Sequence, residues 1–142
     1  MERVTNLILI DSDTRRRATI SHMLSADAIH VEPFENISEL ASAWPRSGVI
    51  LIHHEAGAVT DLVEAMARYG EWFPIVAFRE DPCTRNIVQA ILDGAIDYLP
   101  WPISSGQLAE TVRCSIERAA EVGNAKLREV MARTRIERLT RR

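Results

Sequence analysis

The sequence predicts an α/β domain, a parallel sheet covered on both faces by helices. Five short apolar runs lack the in-out alternation of a half-exposed sheet, which marks strands buried on both sides. Between each run and the next lies a stretch with apolar residues at helical spacing, so strand and helix alternate along the chain. A third observation is size: 142 residues, 46% hydrophobic and 26% charged, suit one domain that buries its core without a disulfide or metal staple.

The elements follow in order. Thr5 to Ile10 is a buried strand, with Leu7, Ile8, Leu9 and Ile10 ended by Asp11-Ser12-Asp13. Asp13 or Thr14 caps the next helix, whose inward residues are Ile20, Met23 and Leu24. Ile29 to Phe34 is a weaker second strand. Asn36 opens a second helix with Glu39 three residues on, a capping-box spacing, and Leu40 and Trp44 face inward. Val49 to His53 is the third strand, and Val59 to Tyr69 the third helix, with Leu62, Val63 and Met66 as its apolar face. Pro74 to Phe78 is the fourth strand. Thr84 to Leu92 is the fourth helix, with Ile87, Val88 and Ile91 turned inward and Gly94 as its stop. Asp97 to Leu99 is a short fifth strand, and from Ser104 a last helix begins, with Leu108, Val112 and Ile116 facing the sheet. With right-handed crossovers this is a doubly wound, flavodoxin-like five-stranded sheet of order 2-1-3-4-5 with an extended C-terminal helix.

Composition excludes several classes. No apolar run reaches the roughly 20 residues of a membrane span. The first residues do not read as a signal peptide, because the apolar stretch is short and acid follows at once. Two cysteines, Cys83 and Cys114, make no disulfide framework, so a cytoplasmic setting is expected. Cys83, near a helix start, is expected to be a small core residue. The net charge of −3 is unevenly spread: nine basic and four acidic residues lie from Arg113 onward, against eight and sixteen before it. An acidic body thus carries a basic tail.

In a doubly wound sheet, ligands bind beyond the carboxyl ends of the strands. The residues there are Asp11, Ser12 and Asp13 after the first strand, His53, His54 and Glu55 after the third, Arg79 after the fourth and Trp101 after the fifth. No glycine-rich phosphate loop follows the first strand, and no metal-ligand spacing appears. His53-His54-Glu55 is no metal cluster, since adjacent residues at a strand end point to opposite sides.

From about Asn6 to Ile116 the chain resembles the receiver domain of bacterial response regulators. The segments that carry the likeness are LILIDSD with Arg17 downstream, GVILIH, PIVAFR and, most of all, GAIDYLPWPI from Gly94 to Ile103. The last is similar to the family's Gly-Ala-x-Asp-aromatic-x-x-Lys-Pro-hydrophobic run. The resemblance implies a Mg²⁺-dependent phosphorylation pocket made of an acidic pair, a phosphoacceptor aspartate, a hydroxyl residue and a lysine. It also implies which parts are missing. Asp11 keeps the first acid, while Ser12 stands at the second with Asp13 beside it. His53 stands at the phosphoacceptor, Arg79 at the hydroxyl residue and Trp101 at the lysine. Lys126 is the only lysine of the chain. A degenerate pocket that takes no phosphate and holds no metal or other cofactor is therefore expected. Its remaining uses, in order, are packing by Trp101, an anion held by Arg79 and His53, and phosphorylation of His53 itself. Tyr98 matches the family's aromatic switch position, and Trp101-Pro102 its cis peptide bond.

Residues 104–139 contain no proline and, if helical throughout, span about 54 Å. Beyond the sheet they carry Leu127, Val130 and Met131 among many charges, which suits pairing with a second copy. The ending Leu139-Thr140-Arg141-Arg142 is similar to the opening of the LuxR-type helix-turn-helix domain. The expected organisation is thus a degenerate receiver over residues 1–120 and a linker and dimerisation helix over 121–142, leading to a DNA-binding domain outside this sequence. The leading function is a regulatory, non-enzymatic receiver of a transcription regulator. It would dimerise through the fourth helix, fifth strand and last helix, with Ile87, Tyr98, Leu127, Val130 and Met131 on that face. It would contact DNA only through the further domain and have no membrane partner. The rival is a stand-alone pseudo-receiver that docks a sensor kinase or other regulatory protein, or a small anionic ligand.

Overall fold

The computed structural model describes residues 5–121. Five strands, β1 (Thr5–Ile10), β2 (Ile29–Phe34), β3 (Val49–His53), β4 (Ile75–Glu80) and β5 (Asp97–Trp101), alternate with α1 (Thr14–Met23), α2 (Ile37–Ala41), α3 (Ala58–Tyr69) and α4 (Thr84–Asp93). A fifth helix, α5, occupies residues 105–121. The sheet is wholly parallel, in the order β2-β1-β3-β4-β5, as the sequence predicts. Pro33 and Pro100 fall in the two edge strands, where a missing N–H costs least.

Burial on both faces follows from alternation within each apolar run. Leu7, Leu9, Leu51, Val76 and Phe78 point to one side and pack on Ile20 of α1, Leu24 at its C-terminal cap, and Leu108 and Val112 of α5. Ile8, Ile10, Ile50, Ile52 and Ala77 point to the other, against Leu40 of α2, Leu62 and Met66 of α3 and Ala90 of α4. Each of the larger side chains among these contributes roughly 1.5–3 kcal/mol when fully buried, so the three-layer arrangement is set by the two sides of the same strands.

Helix ends use the residues the sequence nominates. Asp13 caps α1 by accepting from Arg16 N–H, Asn36 caps α2 by accepting from Glu39 N–H, and Ser104 accepts from Gln107 N–H at the start of α5. Gly94 ends α4 at φ 130°, and a Cβ there would lie 2.9 Å from Val63 Cγ2.

Several expectations need correction. Strands β4 and β5 run two residues further than the apolar runs suggest, so Arg79 and Trp101 lie within strands rather than after them. The apolar residues of α4 do not face inward: Ile87, Val88, Ile91 and Leu92 are 37%, 50%, 44% and 76% exposed, and only Ala90 is buried. The helix leans on the sheet through its smallest apolar residue and leaves the larger ones in solvent. Ile116 of α5 is likewise exposed, and Cys83 is an exposed cap residue of α4 rather than core. Leu127, Val130, Met131 and most of the 121–142 segment lie outside the described residues. Among the described residues, no helix is long and apolar enough to cross a membrane.

Candidate functional site

Strands β1, β3 and β4 end together, and their last residues frame a crevice. Asp11, one residue past β1, is buried. Its Oδ1 accepts from Asp13 N–H (2.9 Å), the local turn that starts α1. From the first turn of α1, Arg16 folds back over the crevice. Its Nε and Nη2 donate to Asp11 Oδ2 (2.5 Å) and Oδ1 (2.7 Å), a two-pronged guanidinium–carboxylate pair. Its Nη1 donates to Glu80 Oε1 (3.0 Å), at the end of β4. The guanidinium also sits 5.9 Å from the centre of the Phe78 ring. Hydrogen bonding to Asp11 above all holds the Arg16 pKa above its ordinary value, and the Arg16 backbone N–H holds that of Asp13 below its own. Arg17, from the same turn, donates through Nη1 to the Asp11 backbone carbonyl (2.5 Å).

His53 closes the other side. A carboxylate can only accept, so His53 Nε2 donates to Glu80 Oε1 (3.1 Å). Its Nδ1 is buried without a hydrogen-bond partner among the described residues, 3.5 Å from Glu55 Oε1. Its ring meets Phe78 edge-on at 5.3 Å. The result is one chain of contacts, Asp11–Arg16–Glu80–His53, in which a fixed cation lies between two carboxylates. An open pocket of about 240 Å³ adjoins it, lined by Ser12, Glu35, Asn36, Glu55 and Asp61 beside Asp11 and His53. Ser12 is exposed.

The remaining nominated residues are placed elsewhere. Trp101 is half-buried and meets Phe78 edge-on at 6.0 Å, packed on the α1/α5 side of the core. Its bond to Pro102 is cis. Arg79 makes no ion pair among the described residues. Its charge acts on His54, Tyr98 and Cys83. Tyr98 is half-buried, with Oη 2.7 Å from Nδ1 of the buried His54.

Arg16 and Glu80 are the residues that sequence reasoning did not nominate for the site, and the contact of His54 with Tyr98 was not foreseen. A signal for the first exists: Arg15-Arg16-Arg17 fills the first turn of α1 with positive charge and no acid, against the helix dipole. Such a run needs an anionic counterpart nearby, and Asp11 is it.

No family model and no curated protein matches the chain by sequence. Solved structures match its fold. Full-length FixJ from B. japonicum superposes with a TM-score of 0.74 at 20% identity, over 93% of this chain and 68% of that one. A response regulator receiver protein from Pseudoalteromonas atlantica gives 0.67 at 18% identity, over 80% and 98%. The signal receiver domain of a LuxO-like repressor from Vibrio parahaemolyticus gives 0.70 at 14%, over 87% and 98%. At these identities the likeness establishes the fold: the chain has the architecture of response-regulator receivers.

Proposed function

We propose that this chain is the receiver domain of a bacterial transcriptional response regulator that signals without aspartyl phosphorylation. The observation that carries the reading is the seat of Arg16. A hard divalent cation wants six or more oxygen ligands. Here the one carboxylate retained from the acidic pair is already held by two N–H groups of a guanidinium. The residues present do not fit Mg²⁺, and Arg16 supplies from within the chain the positive charge an ion would bring. With His53 where the acceptor carboxylate would stand, no acyl phosphate forms at that position. Its Nε2 is committed to Glu80. Trp101, packed against Phe78, occupies the lysine's place, in keeping with a packing role.

What remains is shape and surface. The exposed strip of α4, Ile87, Val88, Ile91 and Leu92, beside β5 with Tyr98, is the face through which we infer pairing of two copies, so that C-terminal DNA-binding domains would be brought together. A small-anion site has less support. The guanidinium of the crevice is already neutralised by Asp11 and Glu80.

Light scattering and a Mg²⁺ titration test the proposal together. The 142-residue chain associates to a dimer in a concentration-dependent way, and NMR resonances of Asp11, Ser12 and His53 stay fixed as MgCl₂ is added. A strictly monomeric chain contradicts the dimer reading, and saturable shifts at Asp11 contradict the pocket reading.

A further inference from the structure

The end of the sheet opposite the crevice, where β1, β3 and β4 begin, carries a fixed and exposed tryptophan. Helix α3 closes at Gly70, with φ 67°. Gly70 N–H donates to the Ala67 carbonyl (3.3 Å) and Glu71 N–H to that of Met66 (2.8 Å), the paired bonds of a Schellman stop. Beyond Trp72, Phe73 is buried and stacks on Trp44 at 6.0 Å between ring centres. The Pro74 carbonyl accepts from Ile50 N–H of β3 (2.9 Å). Trp72 is thus anchored through the chain on both sides, while its own side chain is exposed. A side chain on so fixed a backbone gives up little freedom when it is covered, and tryptophan is among the residues that most often anchor a protein contact.

Trp72 stands between two hollows. One, of about 300 Å³, is lined by Val63, Met66 and Ile96 with Glu71. The other, of about 470 Å³, is lined by Pro74, Ile116 and Ala119 with Arg46. Neither Glu71 nor Arg46 makes an ion pair among the described residues. A projecting ring beside a hollow, with one free charge of each sign, can complement itself, because every contact across a two-fold axis occurs twice.

We propose that this face pairs with a second copy of the chain: Trp72 of each protomer enters the larger hollow of the other, and Glu71 meets the partner subunit's Arg46. The choice of hollow follows from the charges. Glu71 directly precedes Trp72, and Arg46 lines the larger hollow, so seating the indole there brings carboxylate and guanidinium together. Seating it in the smaller hollow would set Glu71 against Glu71, which like charges oppose. The inference goes beyond the proposed function, whose pairing runs through α4. With both contacts in place, association continues past the dimer as concentration rises.

Sedimentation of the full chain in an I91E background, which weakens the α4 contact, isolates this face. The I91E chain is expected still to self-associate. Adding R46E or E71R sets like charges opposite one another and should weaken that association at least about tenfold. Mixing the two variants, or combining both changes in one chain, restores opposite charges and should recover most of it. W72S removes the ring and should weaken association as much, and it decides the matter if a charge variant does not fold. An I91E chain that stays monomeric where the parent pairs confines association to α4, so this contact fails and the proposed function stands. A parent chain that never associates defeats both. Association of I91E that is indifferent to R46E, E71R and W72S overturns the contact. So do nuclear Overhauser contacts, in dilute monomer, from the Trp72 indole to residues 1–4 or 122–142, which would put the chain's own ends in the hollow.

Discussion

Replacing Arg16 by alanine removes the partner of a carboxylate with no solvent contact. The Asp11 side chain is 0% exposed and Arg16 15%. Breaking a buried ion pair from one side costs about 3–5 kcal/mol, because the remaining charge is left uncompensated. The partial exposure of Arg16 lets water reach the gap, and Asp13 N–H still donates to Asp11. The expected loss is therefore smaller, about 2–4 kcal/mol, or on the order of 10 °C in melting midpoint for a domain near this size. Urea unfolding followed by circular dichroism measures it. The decisive companion is Asp11→Asn. In the double variant R16A/D11N the unpaired charge is gone, so it should recover at least about 1 kcal/mol relative to R16A alone. An R16A chain within about 0.5 kcal/mol of the parent, or a double variant no more stable than R16A, would refute the idea that Arg16 acts as the crevice's resident cation.

Other outcomes follow from the same geometry. Asp13→Ala removes the α1 cap and should cost about 1 kcal/mol in the same urea assay. Ile91→Glu on the exposed strip of α4 should change stability by less than about 0.5 kcal/mol while weakening self-association in analytical ultracentrifugation; a large stability loss would mean the strip is core after all. Because the fold lowers the pKa of His54, mainly by burial, the unfolded chain binds that proton more readily. Stability should then fall as pH drops below about 6.5 and level off beneath the lowered folded value, and H54Q should remove that component of the urea midpoint's pH dependence.

Strands β1, β3 and β4 were legible because each carries an unbroken apolar run, and a run of that length that does not alternate has few other uses than a doubly buried strand; the edge strands β2 and β5, broken by polar residues and proline, gave a weaker signal. The helix caps at Asp13 and Asn36 were legible because capping is local. The facing of α4 was not. Ile87, Val88 and Ile91 do share one side of a helix, but periodicity says only that an apolar side exists, and here that side meets solvent while Ala90 meets the sheet. The polar Arg79 and Glu80 hid the last residues of β4, and Pro100, which interrupts the run before Trp101, hid those of the edge strand β5. Asp11 and His53 were nominated from their places at strand ends. Their true neighbours Arg16 and Glu80, and the His54–Tyr98 contact across 44 residues, depend on side-chain reach in three dimensions, which residue spacing does not encode.

The proposed function requires that the crevice of this receiver fold take no phosphoryl group. Incubating the chain with acetyl phosphate and Mg²⁺ and weighing it intact by mass spectrometry tests this most directly. The mass of the unmodified chain is expected at every time point. A stoichiometric, Mg²⁺-dependent phosphoryl adduct on this chain would contradict it.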